Sequence, residues 1–266
     1  MLLTFDLDGV LMKNPFSTGV FPTVTKEFGK ISGLSHKEIM AKIIQEAKER
    51  MDRGDFVGAY DWDGIVAVVG KELGYDKQID VAGLVRQFCT PDHIYAYPHV
   101  HETLEELKYR GFTLVALTNG FLKYQLPVLE SLGIDQFFEK VFTPELVGQA
   151  KPHPEFFQKP QQAFPGRHLH IGDTVIHDLW GPKRVGATTV WVYHDLPEEI
   201  SRMPVAERTK HELLANLIAK GIERDLNAAA YPEVTVSCSM PDFVIKSIEE
   251  LLAVLDKMEG NYAKQT

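Results

Sequence analysis

The chain has 266 residues, 44% of them hydrophobic and 24% charged, which supplies a sizeable core and argues against a mainly disordered chain. Its net charge of −9 argues against non-specific nucleic-acid binding and against docking on anionic membranes. Cys89 and Cys238 stand far apart without a metal-ligand spacing, so a disulfide framework and a zinc site are not expected.

The N-terminus reaches Asp6 before any apolar core of signal-peptide length, and no stretch approaches the roughly 20 apolar residues of a membrane span. The expectation is a cytoplasmic protein. Leu2–Leu7 reads as a buried parallel strand ending in acidic and glycine residues. Residues 14–96 then break the pattern, with helical periodicity at His36–Arg50 and Ile65–Leu73 and little strand signal. A plain crossover needs far fewer residues, so this stretch is read as a helical module inserted after the first strand.

From residue 97 strands and helices alternate. Strands are expected at Phe112–Leu117, His168–Ile171 and Thr188–Val192, and helices at Val100–Arg110, Leu122–Leu132, Glu155–Ala163 and Val175–Val185. That alternation implies right-handed βαβ units and an α/β fold with an open, doubly wound parallel sheet, whose ligands bind at the carboxyl ends of the strands. After Val192, Pro204–Ala229 carries a stripe of Leu213, Leu214, Leu217, Ile218, Ile222 and Leu226 at helical spacing, read as core or interface. Pro241–Ile245 is expected as a last edge strand and Ile248–Met258 as a closing helix. The expected division is therefore a core of 1–13 and 97–258 with a helical insertion near 196–240, an all-helical module of 14–96, and a disordered tail of 259–266.

Four short motifs carry the chemistry. Asp6-Leu7-Asp8-Gly9 closes the first strand, and residues two apart on a strand leave the sheet edge on one side. Such a pair can hold a hard divalent cation and divide the labour of nucleophile and acid–base, although a pair of solvated acids in a turn has the same sequence. Thr118-Asn119-Gly120 stands at a strand-to-helix junction, where a hydroxyl and free amides suit phosphate oxygen or merely cap the helix. Lys151, fixed by the prolines at 152 and 154, can act as a point cation toward phosphate. Gly172-Asp173-Thr174 delivers a carboxylate at the edge of the next strand, with Asp178 at the start of the following helix as an orienting group or a cap.

The order and spacing of these motifs resemble the four motifs of the haloacid dehalogenase superfamily, over residues 1–192 and again from about 242. The resemblance implies a HAD-like Rossmannoid core with a helical cap at 14–96. It also implies a phosphatase hydrolysing a small phosphorylated metabolite through an aspartyl-phosphate. By that resemblance Asp6 is the nucleophile and Asp8 the acid–base. Asp6, Asp8 (through its carbonyl) and Asp173 bind Mg²⁺, Asp178 supports the metal shell, Thr118 and Asn119 hold phosphate, and Lys151 neutralises nucleophile and phosphate. Asp8 favours phosphate-ester chemistry over dehalogenation, since a halide leaving group needs no acid. A phosphomutase shares the Asp-x-Asp pair and stays open, as does a non-catalytic binding protein on the same fold. No nucleic-acid or membrane partner is expected, and the chain is read as a monomer or homodimer. The pairs His99/His101 and His168/His170 are read as structural histidines rather than ligands.

Overall fold

In a computed structural model, which describes residues 1–225 and 228–262, the apolar runs form the strands expected of them. The parallel sheet contains β1 (Leu2–Phe5), β4 (Thr113–Leu117), β5 (Lys140–Phe142), β6 (His168–Gly172), β7 (Thr188–Val192) and β8 (Phe243–Ile245), in the order β5-β4-β1-β6-β7-β8. The other two strands, β2 (Met12–Lys13) and β3 (Tyr95–Ala96), form an antiparallel ribbon apart from it. The sheet strands are parallel neighbours with helices between them, so both faces are covered and their sequences read as near-continuous apolar runs. Leu3, Phe5, Leu114, Ala116, Leu169 and Ile171 are completely buried.

The topology puts the site in the middle. β1 is central, flanked by β4 on one side and β6 on the other, with Phe5 in register with both Ala116 and Ile171. The strand order reverses around β1, and the carboxyl ends of these three strands deliver Asp6, Thr118 and Asp173 side by side. β5 was not anticipated; it has three residues at the sheet edge, with Lys140 exposed, too short to carry a periodic signal.

Between β2 and β3 the chain forms the helices Phe21–Ser32, His36–Asp52, Trp62–Glu72 and Val81–Gln87. His36–Asp52 starts at a capping box, Ser35 with Glu38, and its apolar side buries Ile39 and Ile43 together with Val24, Phe28, Ile65 and Val69. Tyr95–Ala96, inside the stretch expected to be helical, is a strand, because it pairs with Met12–Lys13 where the chain leaves and rejoins the core.

Two expected helices are broken. Val175–Val185 begins as a π-helical turn, Val175–Trp180, followed by a short helix, Gly181–Lys183. The Asp178 carboxylate there accepts from the amide and hydroxyl of Thr174, and Pro182 has no N–H to continue a ladder. Among the described residues of Pro204–Ala229 the main helix is Leu213–Arg224, preceded by a 3-10 turn at Arg208–Lys210. The buried Arg208 guanidinium makes a two-pronged ion pair with Glu250 at 2.6 and 2.7 Å and also bonds the carbonyls of Ser201, Met203 and Val244. That hub ties the insertion to the last strand and helix. Leu214 and Ile218 pack with Val175, Leu179, Trp191 and Val244, so the stripe is core; Leu226 lies outside the described residues. The closing helix, Glu250–Tyr262, includes 259–262 of the expected tail, and 263–266 lie outside the described residues. No described helix is long and apolar enough to cross a membrane.

Candidate active site

Strand β1 stops at Phe5, so Asp6 and Asp8 lie in the turn beyond the strand rather than on it. The Leu7 carbonyl accepts from the amides of Val10, Leu11 and Met12, which curls the chain tightly. Gly9 sits at φ +84°, where a Cβ would lie 2.3 Å from Asp173 Oδ2. Only glycine lets the turn approach that carboxylate. His194 Nε2 and the Gly9 carbonyl are 2.9 Å apart, and the His194 ring stacks on Tyr97 at 4.2 Å.

Asp6, Asp8, Thr118, Asn119, Lys151 and Asp173 line one cavity of about 310 Å³. Asp178 lies beneath it, fully buried. Lys151 Nζ bridges Asp6 Oδ1 at 2.8 Å and Asp178 Oδ1 at 2.7 Å. Burial works against the Lys151 charge, but Asp178 and Asp6 hold its pKa above the ordinary value. Burial would likewise raise Asp178, yet Lys151 and His170 keep its carboxyl well below the usual range. Both Asp178 oxygens are already engaged, Oδ1 by Lys151 and His170 and Oδ2 by Thr174.

The other carboxylates are under opposite pressure. Burial pushes Asp6 up to about 7, with Lys151 pulling it down and Asp178 and Asp8 repelling it. Asp173 is raised well above the ordinary range by burial, then by Asp6 and Asp178. Oxygens from Asp6, Asp173 and Asp178 lie within 4.8 Å of one another, and buried Asp8 Oδ1 and Asp173 Oδ1 have no hydrogen-bond partner among the described residues. Crowded carboxylates with spare buried oxygens and a single lysine fit a hard divalent cation. Trp191 Nε1 donates to the Asp173 carbonyl at 2.7 Å and fixes that segment.

Thr118 is buried, and its hydroxyl accepts from the Gly120 amide at 3.1 Å, which leaves its own proton to donate. Asn119, expected as a phosphate ligand, has its carboxamide engaged by other groups of the protein. Its carboxamide accepts from the Lys151 amide at 2.8 Å and donates to the Lys151 carbonyl at 3.2 Å and to Tyr60 at 2.7 Å. The side chain therefore clamps Lys151 and meets Tyr60.

Several residues here carried no signal in the sequence. Gln125, on helix Leu122–Leu132, donates from Nε2 to Asp8 Oδ2 at 2.8 Å. Burial raises the Asp8 pKa, opposed by the hydrogen bond from Gln125. A Cβ on Gly120 would sit 2.1 Å from that same Nε2, so the glycine makes room for the glutamine. Phe16, Phe21, Tyr60 and Trp62 also line the cavity, as do Asn14, Thr174 and His177. Tyr124, next to Gln125, accepts from the Asp63 amide at 2.9 Å and meets its carboxylate at 2.9 Å, while Lys123 pairs with Asp61 and Asp63.

His101 Nε2 meets the Leu132 carbonyl, and His99 precedes the helix at φ 64°. His168 Nε2 and His170 Nδ1 both meet Thr4 Oγ1, at 2.7 and 2.8 Å. Ionised Asp178 can only accept, so His170 Nε2 donates to it and His170 Nδ1 must accept from Thr4, which in turn accepts from His168 Nε2.

A family described as haloacid dehalogenase-like hydrolase matches residues 1–186. The chain belongs to this family of hydrolases. Among its relatives, a glyceraldehyde 3-phosphate phosphatase of Methanocaldococcus jannaschii is 33% identical over 169 residues, covering 60% of this chain and 70% of that one. A glyceraldehyde 3-phosphate phosphatase of Pyrococcus furiosus is 27% identical over 194 residues, covering 71% and 67%. A crystal structure of a HAD phosphatase from Thermococcus onnurineus shares the fold with a TM-score of 0.65 at 24% identity, covering 96% of this chain and 97% of that one.

Proposed function

We propose that this hydrolase is a magnesium-dependent phosphatase that cleaves a small phosphate monoester through an aspartyl-phosphate on Asp6. The observation that carries the reading is the buried Lys151 ammonium 2.8 Å from Asp6 Oδ1, beside Asp8 in the same cavity. The phosphatase names of the two relatives above support the same class of substrate.

Asp6, the Asp8 carbonyl and Asp173 would hold Mg²⁺, with Asp178 supporting from beneath because both of its oxygens are engaged. Bound there, the ion would supply positive charge against the phosphate dianion. Lys151 gathers the remaining negative charge, so that a carboxylate can approach a phosphate it would otherwise repel. Thr118 donates its hydroxyl proton to a phosphate oxygen, and Asn119 contributes by fixing the Lys151 main chain.

Asp6 attacks phosphorus, the P–O bond to the alcohol breaks, and Asp8 gives its proton to the departing oxygen. Asp8, now a carboxylate, takes a proton from water as that water attacks the aspartyl-phosphate, which frees Asp6 and inorganic phosphate. Burial raises the Asp8 pKa, which favours the protonated form needed for the first step. Residues 14–96 act in this reading as a cap, whose Tyr60 meets Asn119 and whose Asp61 and Asp63 meet Lys123.

Asp6→Asn tests the nucleophile. The near-isosteric change should leave the fold intact and lower turnover by roughly 10³-fold or more. A folded Asp6→Asn protein, checked for deamidation, that turns over within tenfold of the wild type would contradict the assignment.

A further inference from the structure

The charges around the cavity are unevenly distributed. Asp6, Asp8, Asp173 and Lys151 stand together, whereas Phe16, Phe21 and Trp62 supply an aromatic wall. The wall is a continuous cluster: Phe16 and Phe21 are 5.2 Å apart between ring centroids, Phe21 and Trp62 5.3 Å, and Phe16 and Trp62 6.1 Å. Tyr124 meets Phe16 edge-on at 5.6 Å and supports it from the core helix. Among the described residues that line the cavity, Lys151 is the one lysine or arginine, and Asp6 and Asp178 already hold it.

With the phosphate at the carboxylates and Lys151, the alcohol portion of the ester meets the aromatic wall. A carboxylate or second phosphate packed on that portion against the rings would lose water without meeting a free lysine or arginine of this cavity's lining. An uncharged alcohol avoids that cost, and a flat or apolar face on it packs against the rings. A second cavity of about 340 Å³ shares Tyr60, Trp62, Thr174 and His177 with the first, and beyond them Lys48, Arg224 and Asp225 stand beside Ile44, Ala47 and Met51.

We propose that the site selects phosphate monoesters of uncharged alcohols that present a planar or apolar face, and rejects esters whose leaving group carries its own anion. The inference rests on the phosphatase reading and narrows its substrate class. Phe21 and Trp62 are the specificity-determining residues.

The test compares benzyl phosphate with 4-carboxybenzyl phosphate on the full-length, magnesium-loaded protein. The two esters share their chemistry at phosphorus and differ in one remote charge. The expected result is a kcat/KM at least about tenfold higher for benzyl phosphate, carried by KM. Phe21→Lys should narrow the gap by placing a cation on the wall. Equal values, or a preference for the carboxylated ester, would overturn the inference while leaving the phosphatase reading intact. If neither ester turns over while other phosphate monoesters do, the inference fails; if no phosphate monoester turns over, the phosphatase reading fails. Calorimetric titration of both esters into Asp6→Asn then reads the preference without turnover: tighter binding of benzyl phosphate supports the inference, and equal or weaker binding overturns it.

Discussion

Gln125 Nε2 lies 2.8 Å from Asp8 Oδ2, and Asp8 Oδ1 has no partner among the described residues. One oxygen of the proposed acid–base is therefore held while the other remains available to a reacting group. Gln125 is buried, and the missing Cβ of Gly120 opens its path.

If Gln125 positions Asp8 in this way, Gln125→Leu should keep the protein folded and lower kcat on an alkyl phosphate by about 10- to 100-fold, with KM little changed. An aryl phosphate, whose good leaving group needs less protonation, should lose less in the first step. The measurement is the rate of alcohol release for both esters in a single turnover. Equal losses on the two would assign Gln125 a purely structural part.

Removing divalent metal should abolish turnover, and millimolar Mg²⁺ should restore it. The proposed ligands, Asp6, the Asp8 carbonyl and Asp173, offer oxygen only, which suits a hard cation. Asp6 and Asp173, both raised by burial, should also gain from the ion as folded-state groups, so Mg²⁺ should raise the thermal midpoint of the resting protein. Full activity after chelation, with metal content verified, would count against the site.

A stability effect is expected at the opposite end of the site's hydrogen-bond chain. Burial, followed by the charge of His170, lowers the His168 pKa to about 3 from an ordinary 6.5. Below pH 6.5 the unfolded chain takes up a proton that folded His168 does not, so stability falls as pH drops from 6.5 toward 3. The slope is about 1.4 kcal/mol per pH unit from this one group. In urea titrations at pH 5.5 and 7.5, His168→Gln should weaken the dependence by about that amount. An unchanged pH dependence in the variant would show that His168 is not the group responsible.

Much of the fold was legible because its signals are local. The Leu2–Phe5, Thr113–Leu117, His168–Gly172 and Thr188–Val192 strands are apolar runs ending in chemistry-bearing residues, and parallel pairing then fixes where Asp6, Thr118 and Asp173 meet. Lys140–Phe142 escaped notice because three residues at an edge have no period. The turn at Arg208 leaves no local signal, since the ion-pair partner it meets, Glu250, is 42 residues away. The same reason conceals Gln125, whose polarity suits the exposed side of a helix until Asp8 is placed beside it, 117 residues distant in sequence. The sequence places Asn119 beside Thr118, but its hydrogen bonds to Lys151 and Tyr60 are not legible there, since those partners come from separate segments. Phe16, Phe21 and Trp62 carry no motif, and only the packing of their three helical segments brings them to the cavity.

The central claim is a phosphoryl group carried on Asp6, and Asp8→Ala gives the means to see it. Without Asp8 to activate water, the aspartyl-phosphate formed from an aryl phosphate should accumulate after a burst of phenol release. Rapid acid quench, proteolysis and mass spectrometry should then find one phosphoryl group on the N-terminal peptide at Asp6, in an amount matching the burst. The Asp6→Asn, Asp8→Ala double variant should show none. Phosphate on another residue, or a burst of phenol with no phosphorylated peptide, would contradict the account.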